Sequence, residues 1–238
     1  MFNIATFFRA FLSAHRALKG ARLGTERDPI RQMLFASQSL EEMAARIRTD
    51  GQQGPVAALA QAASLARNGQ HDAARALLHT LVADSTLETR AILWAWRGLR
   101  DLGEAPAPSI AHEVLGIVLE MPSGGGYDTL AGYADGSARY LNFSGAAIFW
   151  DRPDDEIKYL CQALLAAGAA AGPAAQPRSN VSLPRRGEFA TLLTRAGLFG
   201  IGNPATELIG AGTALLMKLI ARTEEEKTGA RHKTANGK

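Results

Sequence analysis

Residues that could carry catalytic or metal chemistry are few and scattered along this 238-residue chain. The five histidines are His15, His71, His79, His112 and His232. His71 and His79 are eight positions apart, whereas a zinc-binding helix places its two histidines about four apart. The chain also lacks the patterns G-x-S-x-G, H-E-x-x-H and C-x-x-C and the phosphate-binding P-loop. These absences favour a non-enzymatic protein, with no catalytic residue, metal site or cofactor to assign.

Three further features resemble functional signatures, but each has a structural explanation. Cys161 lies on the apolar face of a predicted helix, which is typical of a buried thiol rather than a nucleophile. The acidic residues 154–156 open that helix, where carboxylates cap the backbone and complement the helix dipole. The glycine run 124–126 could present N–H groups to an anion, but a strand follows it, which favours a hairpin loop.

The stretch 112–151 holds the residues best suited to a ligand or partner site, which are Tyr133, Arg139, Tyr140, Asn142 and Trp150. Tyrosine and tryptophan are suited to such a site because they combine a large apolar area with a polar group. The alternative is that these side chains only pack between layers, as aromatic residues on strands commonly do.

The same stretch predicts a four-stranded antiparallel meander with strands at 114–121, 129–134, 137–143 and 146–150. Asp135-Gly136 and Ser144-Gly145 predict two-residue hairpin turns, since both central residues of a type I′ turn need positive φ. Such turns would pair Tyr133 with Ala138 and Leu130 with Leu141. One face of the meander would then carry Thr129, Ala131, Tyr133, Ala138, Tyr140, Asn142, Ala147 and Phe149. The other, more aliphatic face would meet helices and carry Leu130, Gly132, Arg139, Leu141, Phe143, Ile148 and Trp150.

The residues after the meander complete an α+β domain over 109–222. A helix begins at Pro153, a Pro/Ala loop covers 172–180, a hairpin spans 188–201, and a second helix begins near Asn203. The predicted fold class is thus α+β, with six short strands in one antiparallel sheet and two helices on one face. We expect the polar tail 223–238 to be disordered.

Residues 28–104 predict an all-helical module, separated from the sheet domain by the Pro/Ala linker 105–108. Its helices at 55–67 and 72–82 flank Asn68-Gly69-Gln70, and a third helix follows at 86–102. Small residues before the glycine turn and alanine and leucine after it give residues 55–88 a pattern that resembles a tetratricopeptide repeat. That resemblance implies a helical repeat module that binds another protein.

The first 27 residues form a separate basic, amphipathic segment. Phe7, Phe8 and Phe11 recur at helical spacing, and the cations include Arg9, Arg16 and Lys19. One interpretation is a helix that packs its phenylalanines on the body of the protein. The other is a docking helix for a partner or for an anionic membrane surface, the latter through residues 1–23.

Bulk properties narrow the class of function. A net charge of +3, without a basic stripe interleaved with aromatic residues, gives no reason to expect nucleic acid binding. One cysteine and no apolar run of about 18 residues favour a cytoplasmic protein, peripheral at the inner membrane surface if residues 1–23 dock there. Abundant alanine and arginine are typical of a GC-rich bacterial genome.

The leading hypothesis is therefore a non-enzymatic interaction or adaptor protein, or a subunit of a larger bacterial assembly, that binds a protein partner. Self-association is also open. The first alternative is a sensor that binds a small ligand on the aromatic sheet face, and the second is an enzyme of unrecognised type.

Overall fold

A computed structural model describes residues 29–42, 54–123, 126–184, 187 and 189–235. The expected docking helix at 1–27, with Phe7, Phe8, Phe11, Arg9, Arg16 and Lys19, lies outside the described residues. So do the first two glycines of the run 124–126.

The described residues contain one antiparallel sheet in the strand order β4-β3-β2-β1-β6-β7-β5. Its strands are β1 Val114–Ser123, β2 Gly126–Tyr133, β3 Ala138–Leu141, β4 Ala147–Trp150, β5 Gln176–Arg178, β6 Phe189–Thr194 and β7 Gly197–Gly202. The meander and the later hairpin are confirmed. Strand β5 was missed, because Pro177 lacks the N–H that a central strand needs, and a proline-containing strand is tolerated only at the sheet edge where β5 lies.

The predicted register of the meander is wrong by one residue. Both turns are three-residue loops, each ending in a glycine at positive φ, with Gly136 at 82° and Gly145 at 99°. The Tyr133 N–H donates to the Ser137 carbonyl at 3.1 Å across the first loop. Leu130 therefore lies opposite Tyr140 rather than Leu141. Because side chains alternate along a strand, this shift moves every β3 side chain to the opposite face from the one expected.

Helices cover both faces of the sheet. Helices α1 Pro29–Leu34, α2 Pro55–Arg67, α3 His71–Ala83 and α4 Thr89–Asp101 precede it, α5 Pro108–Ala111 is a single turn, and α6 Asp155–Ala171 and α7 Thr206–Ala235 follow. As expected, α6 and α7 share one face, where Cys161 and Leu215 are buried with Leu130. On the other face Trp94 and Leu99 of α4 are buried in one cluster with the sheet residues Val118, Ala131, Tyr133, Leu141 and Leu193. The sheet face that carries Ala131 and Tyr133 therefore packs against helices and is not an open surface for a partner.

The last helix is longer than expected. Disorder was predicted from Thr223, but α7 continues to Ala235. Arg222 pairs with Glu225 one turn later at 3.0 Å, and Glu226 pairs with Arg152 beside the sheet. Ion pairs of this spacing stabilise a polar helix, so the lack of an apolar face does not require disorder.

The division into a helical module and a sheet domain stays a prediction. The helices α2 and α3 do pack against each other around the turn at Gly69, whose φ is +74°. The buried cluster that contains Leu59 and Leu78 of this helical pair is continuous with sheet residues such as Val118. The proposed linker 105–108 therefore joins two parts that share one core.

Candidate functional site: the arginine cleft

The structure does not bring the five candidate pocket residues together. Tyr133 and Arg139 are fully buried on the face that meets α1–α4, where the Tyr133 hydroxyl donates to the Leu34 carbonyl at 2.7 Å. Tyr140 and Trp150 join the cluster under α6 and α7 on the opposite face. Asn142 lies at the β3–β4 turn and donates to the Tyr140 hydroxyl at 3.2 Å. The one-residue register shift places Tyr133 and Tyr140 on opposite faces, and within the described residues helices cover both of these faces.

Arg139 belongs to a buried charge network rather than to an open site. It pairs with Asp151 and lies 3.2 Å from Glu88, and Arg90 pairs with the same Glu88 carboxylate. Burial, and then the neighbouring Arg139, lower the pKa of Arg90 to about 10, which leaves it protonated at neutral pH. Burial likewise raises the pKa of Tyr133 to about 12. These groups hold α4 to the sheet.

A cleft of about 560 Å³ lies where α1 and α4 meet the β6–β7 hairpin and the segment after β5. We call it the arginine cleft, because three arginines line it. The lining comprises Gln32, Phe35, Ala36, Ser37, Gln38, Glu42, Leu93, Arg97, Arg100, Pro177, Arg178, Ser179, Asn180, Val181, Thr194, Ala196, Gly197, Leu198 and Phe199. Only one of these residues, Glu42, is acidic.

Helix α4 supplies two of the arginines. Leu93, Arg97 and Arg100 follow one another at i, i+4 and i+7, which places them on one side of the helix. Arg97 donates to the Asp101 carboxylate at 2.9 Å and 3.1 Å, whereas Arg100 donates to the Arg195 carbonyl. No carboxylate among the described residues lies within ion-pair distance of Arg100. Burial, and secondarily Arg97, lower the pKa of Arg100 to about 10, so it remains cationic at neutral pH.

Arg178 supplies the third cation from the sheet edge. Its guanidinium lies 5.5 Å from the ring centroid of Phe35 and 4.8 Å from that of Phe189, within cation–π range of both. It donates to the Thr191 hydroxyl at 2.5 Å and lies 3.6 Å from Glu120.

Glu120 is shared between two cations behind the cleft wall. The buried Arg31 pairs with the same Glu120 carboxylate that Arg178 approaches. Burial raises the pKa of Glu120, although Arg31 and Arg178 both oppose that rise. Two cations with one carboxylate leave this wall of the cleft with a surplus positive charge.

The segment that follows α1 forms another part of the cleft lining. Ala36 has φ +45°, a conformation that residues with a Cβ rarely adopt, and it turns the chain at the end of the helix. Gln38 is only 5% exposed, and its side-chain Nε2 has no hydrogen-bond partner among the described residues. Ser39 and Glu42 form a capping box, with Ser39 N–H donating to Glu42 at 2.8 Å and Glu42 N–H to Ser39 at 3.1 Å. The one acid of the lining is therefore held by its own helix turn.

This arrangement suits non-covalent recognition of an anion. Guanidinium groups, an unpartnered amide and aromatic rings bind charged and planar groups. In the part of the chain that the structure describes, no cluster of three or more His, Cys, Asp or Glu side chains is placed to hold a metal ion. Cys161 is buried in the other core cluster, and burial raises its thiol pKa to about 12.

Sequence reasoning missed the arginines of the cleft. The spacing of Leu93, Arg97 and Arg100 was a usable signal, because it places two cations beside an apolar residue on one helix side. Arg178 carried no comparable signal, since its segment was interpreted as a loop.

Comparison with known proteins adds no relative: no family model, curated protein or solved structure matches the chain. The tetratricopeptide resemblance of residues 55–88 stays a prediction. Within the described ranges, no helix combines the length and apolar character that crossing a membrane requires.

Proposed function

We propose that this chain is a non-enzymatic interaction protein that binds a protein partner in the arginine cleft. The observation that carries the proposal is the convergence of Arg97, Arg100 and Arg178 on one cleft that has a single carboxylate among the described residues of its lining. Arginine is among the residues that contribute most to protein–protein affinity, especially at partly desolvated positions. Arg100 fits that description, because it is partly withdrawn from water and no carboxylate among the described residues lies within ion-pair distance of it.

The shape and charge distribution of the cleft favour binding of a peptide segment of a partner protein over binding of a nucleic acid. Its cations are grouped at one place between two layers, whereas a nucleic-acid surface carries a basic stripe that follows a phosphate backbone. Leu198 and Phe199, both half-buried, add apolar area beside the arginines, which suits a peptide with mixed side chains. We place this function in the cytoplasm, in keeping with the single cysteine.

A small-ligand sensor is the second candidate, and the volume of the cleft favours it. Pockets for small molecules commonly measure about 300–1,000 Å³, and the arginine cleft falls within that range at about 560 Å³. The site would then be this cleft rather than the sheet face, which helices cover.

Site-specific photo-crosslinking in the native host tests the proposal. A photoreactive residue replaces Ser179, which is exposed in the cleft lining, and a matched control replaces Ala214, which is exposed on α7 beyond the opposite face of the sheet. The proposal expects one partner protein crosslinked from position 179 and absent from position 214. Equal crosslinking from both positions, or none from position 179, would contradict it.

A further inference from the structure

We infer that Arg100 is the anchor of the arginine cleft, binding one oxyanion of the partner, a carboxylate or phosphate group, with Gln38 as a second donor. This inference rests on the proposed function and adds the chemical class of group that is recognised. It is carried by two donors that line one cleft from different elements, Arg100 from α4 and Gln38 from the segment after α1.

Arg100 is the cation of the cleft that has no carboxylate at ion-pair distance among the described residues, whereas Arg97 pairs with Asp101 and Arg178 lies near Glu120. The planar guanidinium of Arg100 has several N–H donors, and the bond to the Arg195 carbonyl occupies one nitrogen. Arg97, in contrast, is engaged by both oxygens of Asp101. Arg178 is engaged by Thr191 and by the Ser182 carbonyl and lies beside Glu120. A carboxylate or phosphate at Arg100 would supply a direct ion-pair partner, whereas Asp101 acts on this guanidinium only from beyond ion-pair distance.

Gln38 gives independent evidence for a ligand acceptor. A buried N–H donor without a partner is unfavourable in a folded protein, and such groups are usually paired once a ligand or water is present. Gln38 meets that description, since it is 5% exposed, lines the cleft and leaves Nε2 without a partner among the described residues. An oxyanion is the ligand group that would satisfy both Nε2 and a guanidinium.

Titration with blocked pentapeptides Gly-Gly-X-Gly-Gly tests this assignment, with X as glutamate, phosphoserine or glutamine. The full chain should bind the glutamate and phosphoserine peptides and not the glutamine peptide, and the tighter of the two identifies the natural source of the anion. Arg100→Gln should weaken binding about 10- to 100-fold, as expected for loss of a charge-assisted hydrogen bond. Arg75→Gln is the matched control, because Arg75 also donates to a carbonyl, that of Leu102, but does not line the cleft.

A second variant separates binding from folding. Gln38→Leu removes a buried amide nitrogen that lacks a partner among the described residues, so it should leave the melting temperature unchanged or raise it while weakening binding of the anionic peptides. Equal affinity of Arg100→Gln and the parent chain, or equal binding of the glutamine peptide, would overturn the inference. If crosslinking from position 179 persists in that case, the proposed function stands without this anchor. If Arg100-dependent peptide binding occurs but no partner crosslinks, the anchor stands and the proposed function fails.

Discussion

Thr89 and Asp135 are joined by two reciprocal hydrogen bonds that fix the start of α4 to the β2–β3 turn. The Thr89 N–H donates to the Asp135 carboxylate at 2.8 Å, and the Asp135 N–H donates to the Thr89 hydroxyl at 3.1 Å. The N-cap residue of α4, Glu88, makes no side-chain capping bond of its own. A turn of the sheet therefore caps the helix that carries Arg97 and Arg100.

Asp135→Ala should lower the free energy of unfolding by about 1–2 kcal/mol, because the first turn of α4 loses its capping acceptor. Chemical denaturation followed by circular dichroism measures this change. Asp155→Ala, which removes an exposed carboxylate from the first turn of α6, is the control and should cost about 1 kcal/mol or less. Equal losses in the two variants would mean that the contact with Thr89 contributes nothing beyond ordinary helix electrostatics.

Gly136 is restricted by both its backbone and its surroundings. Gly136 and Gly103 have nearly the same φ, +82° and +81°, but a Cβ on Gly136 would lie 3.0 Å from the Lys158 side chain, whereas one on Gly103 would meet nothing within 4 Å. Gly136→Ala and Gly103→Ala share the cost of a left-handed backbone, about 1 kcal/mol. The clash with α6 should make Gly136→Ala the less stable variant by about a further 1 kcal/mol. Thermal melts of the pair measure that difference, and coincident melting would refute the clash.

Arg31 and Glu120 form a buried ion pair, and its disruption should depend on pH. Arg31→Met should destabilise the protein by about 3–5 kcal/mol at neutral pH, since it leaves a buried carboxylate with only Arg178 nearby. Burial raises the pKa of Glu120 above its ordinary 4.5, so folding favours the protonated carboxyl. A protonated carboxyl needs no counter-charge, and the loss should therefore shrink as pH falls from neutral towards 4.5 and below.

Urea unfolding of the Arg31→Met chain and its parent across that pH range measures the effect. Arg75→Met removes a partly exposed arginine that pairs with a solvent-exposed Asp72, so it should cost about 1 kcal/mol or less. A loss from Arg31→Met that is independent of pH would show that Glu120 does not titrate in this range.

Cys161 should be unreactive in the native protein. Its side chain is fully buried between α6 and the sheet, and burial raises the thiol pKa to about 12, which suppresses the reactive thiolate. A thiol-specific reagent at pH 8 should therefore modify it only along with global unfolding in urea. Rapid modification of the folded chain would contradict this packing.

Local patterns were enough to predict the strands but not their register. Alternating apolar residues and the glycine turns located β1–β4 and the β6–β7 hairpin. The pairs Asp135-Gly136 and Ser144-Gly145 were compatible with either a two-residue turn or a three-residue loop that ends in glycine. Only packing on both sheet faces decides between them, and it places Tyr133 and Tyr140 on opposite faces.

The arginine cleft could not be predicted for a related reason. Its walls come from α1, α4 and the segment around Arg178, which are distant in sequence and meet only when helices cover the second face of the sheet. The sequence predicted the helix that carries Arg97 and Arg100, but nothing in it indicated that this helix borders a cleft. The candidate binding surface was predicted on the sheet, but helices pack on both faces of that sheet.

Chemical-shift mapping tests the arginine cleft most directly. The ¹⁵N-labelled full chain is titrated with the blocked glutamate pentapeptide, and backbone amide shifts are followed residue by residue. If the cleft is the binding site, the largest shifts should cluster at residues 37–38, 97–100 and 178–181, and Arg100→Gln should require about 10- to 100-fold more peptide to produce them. Shifts centred on α6 and α7, or no shifts at peptide concentrations in the millimolar range, would contradict a binding function for the cleft.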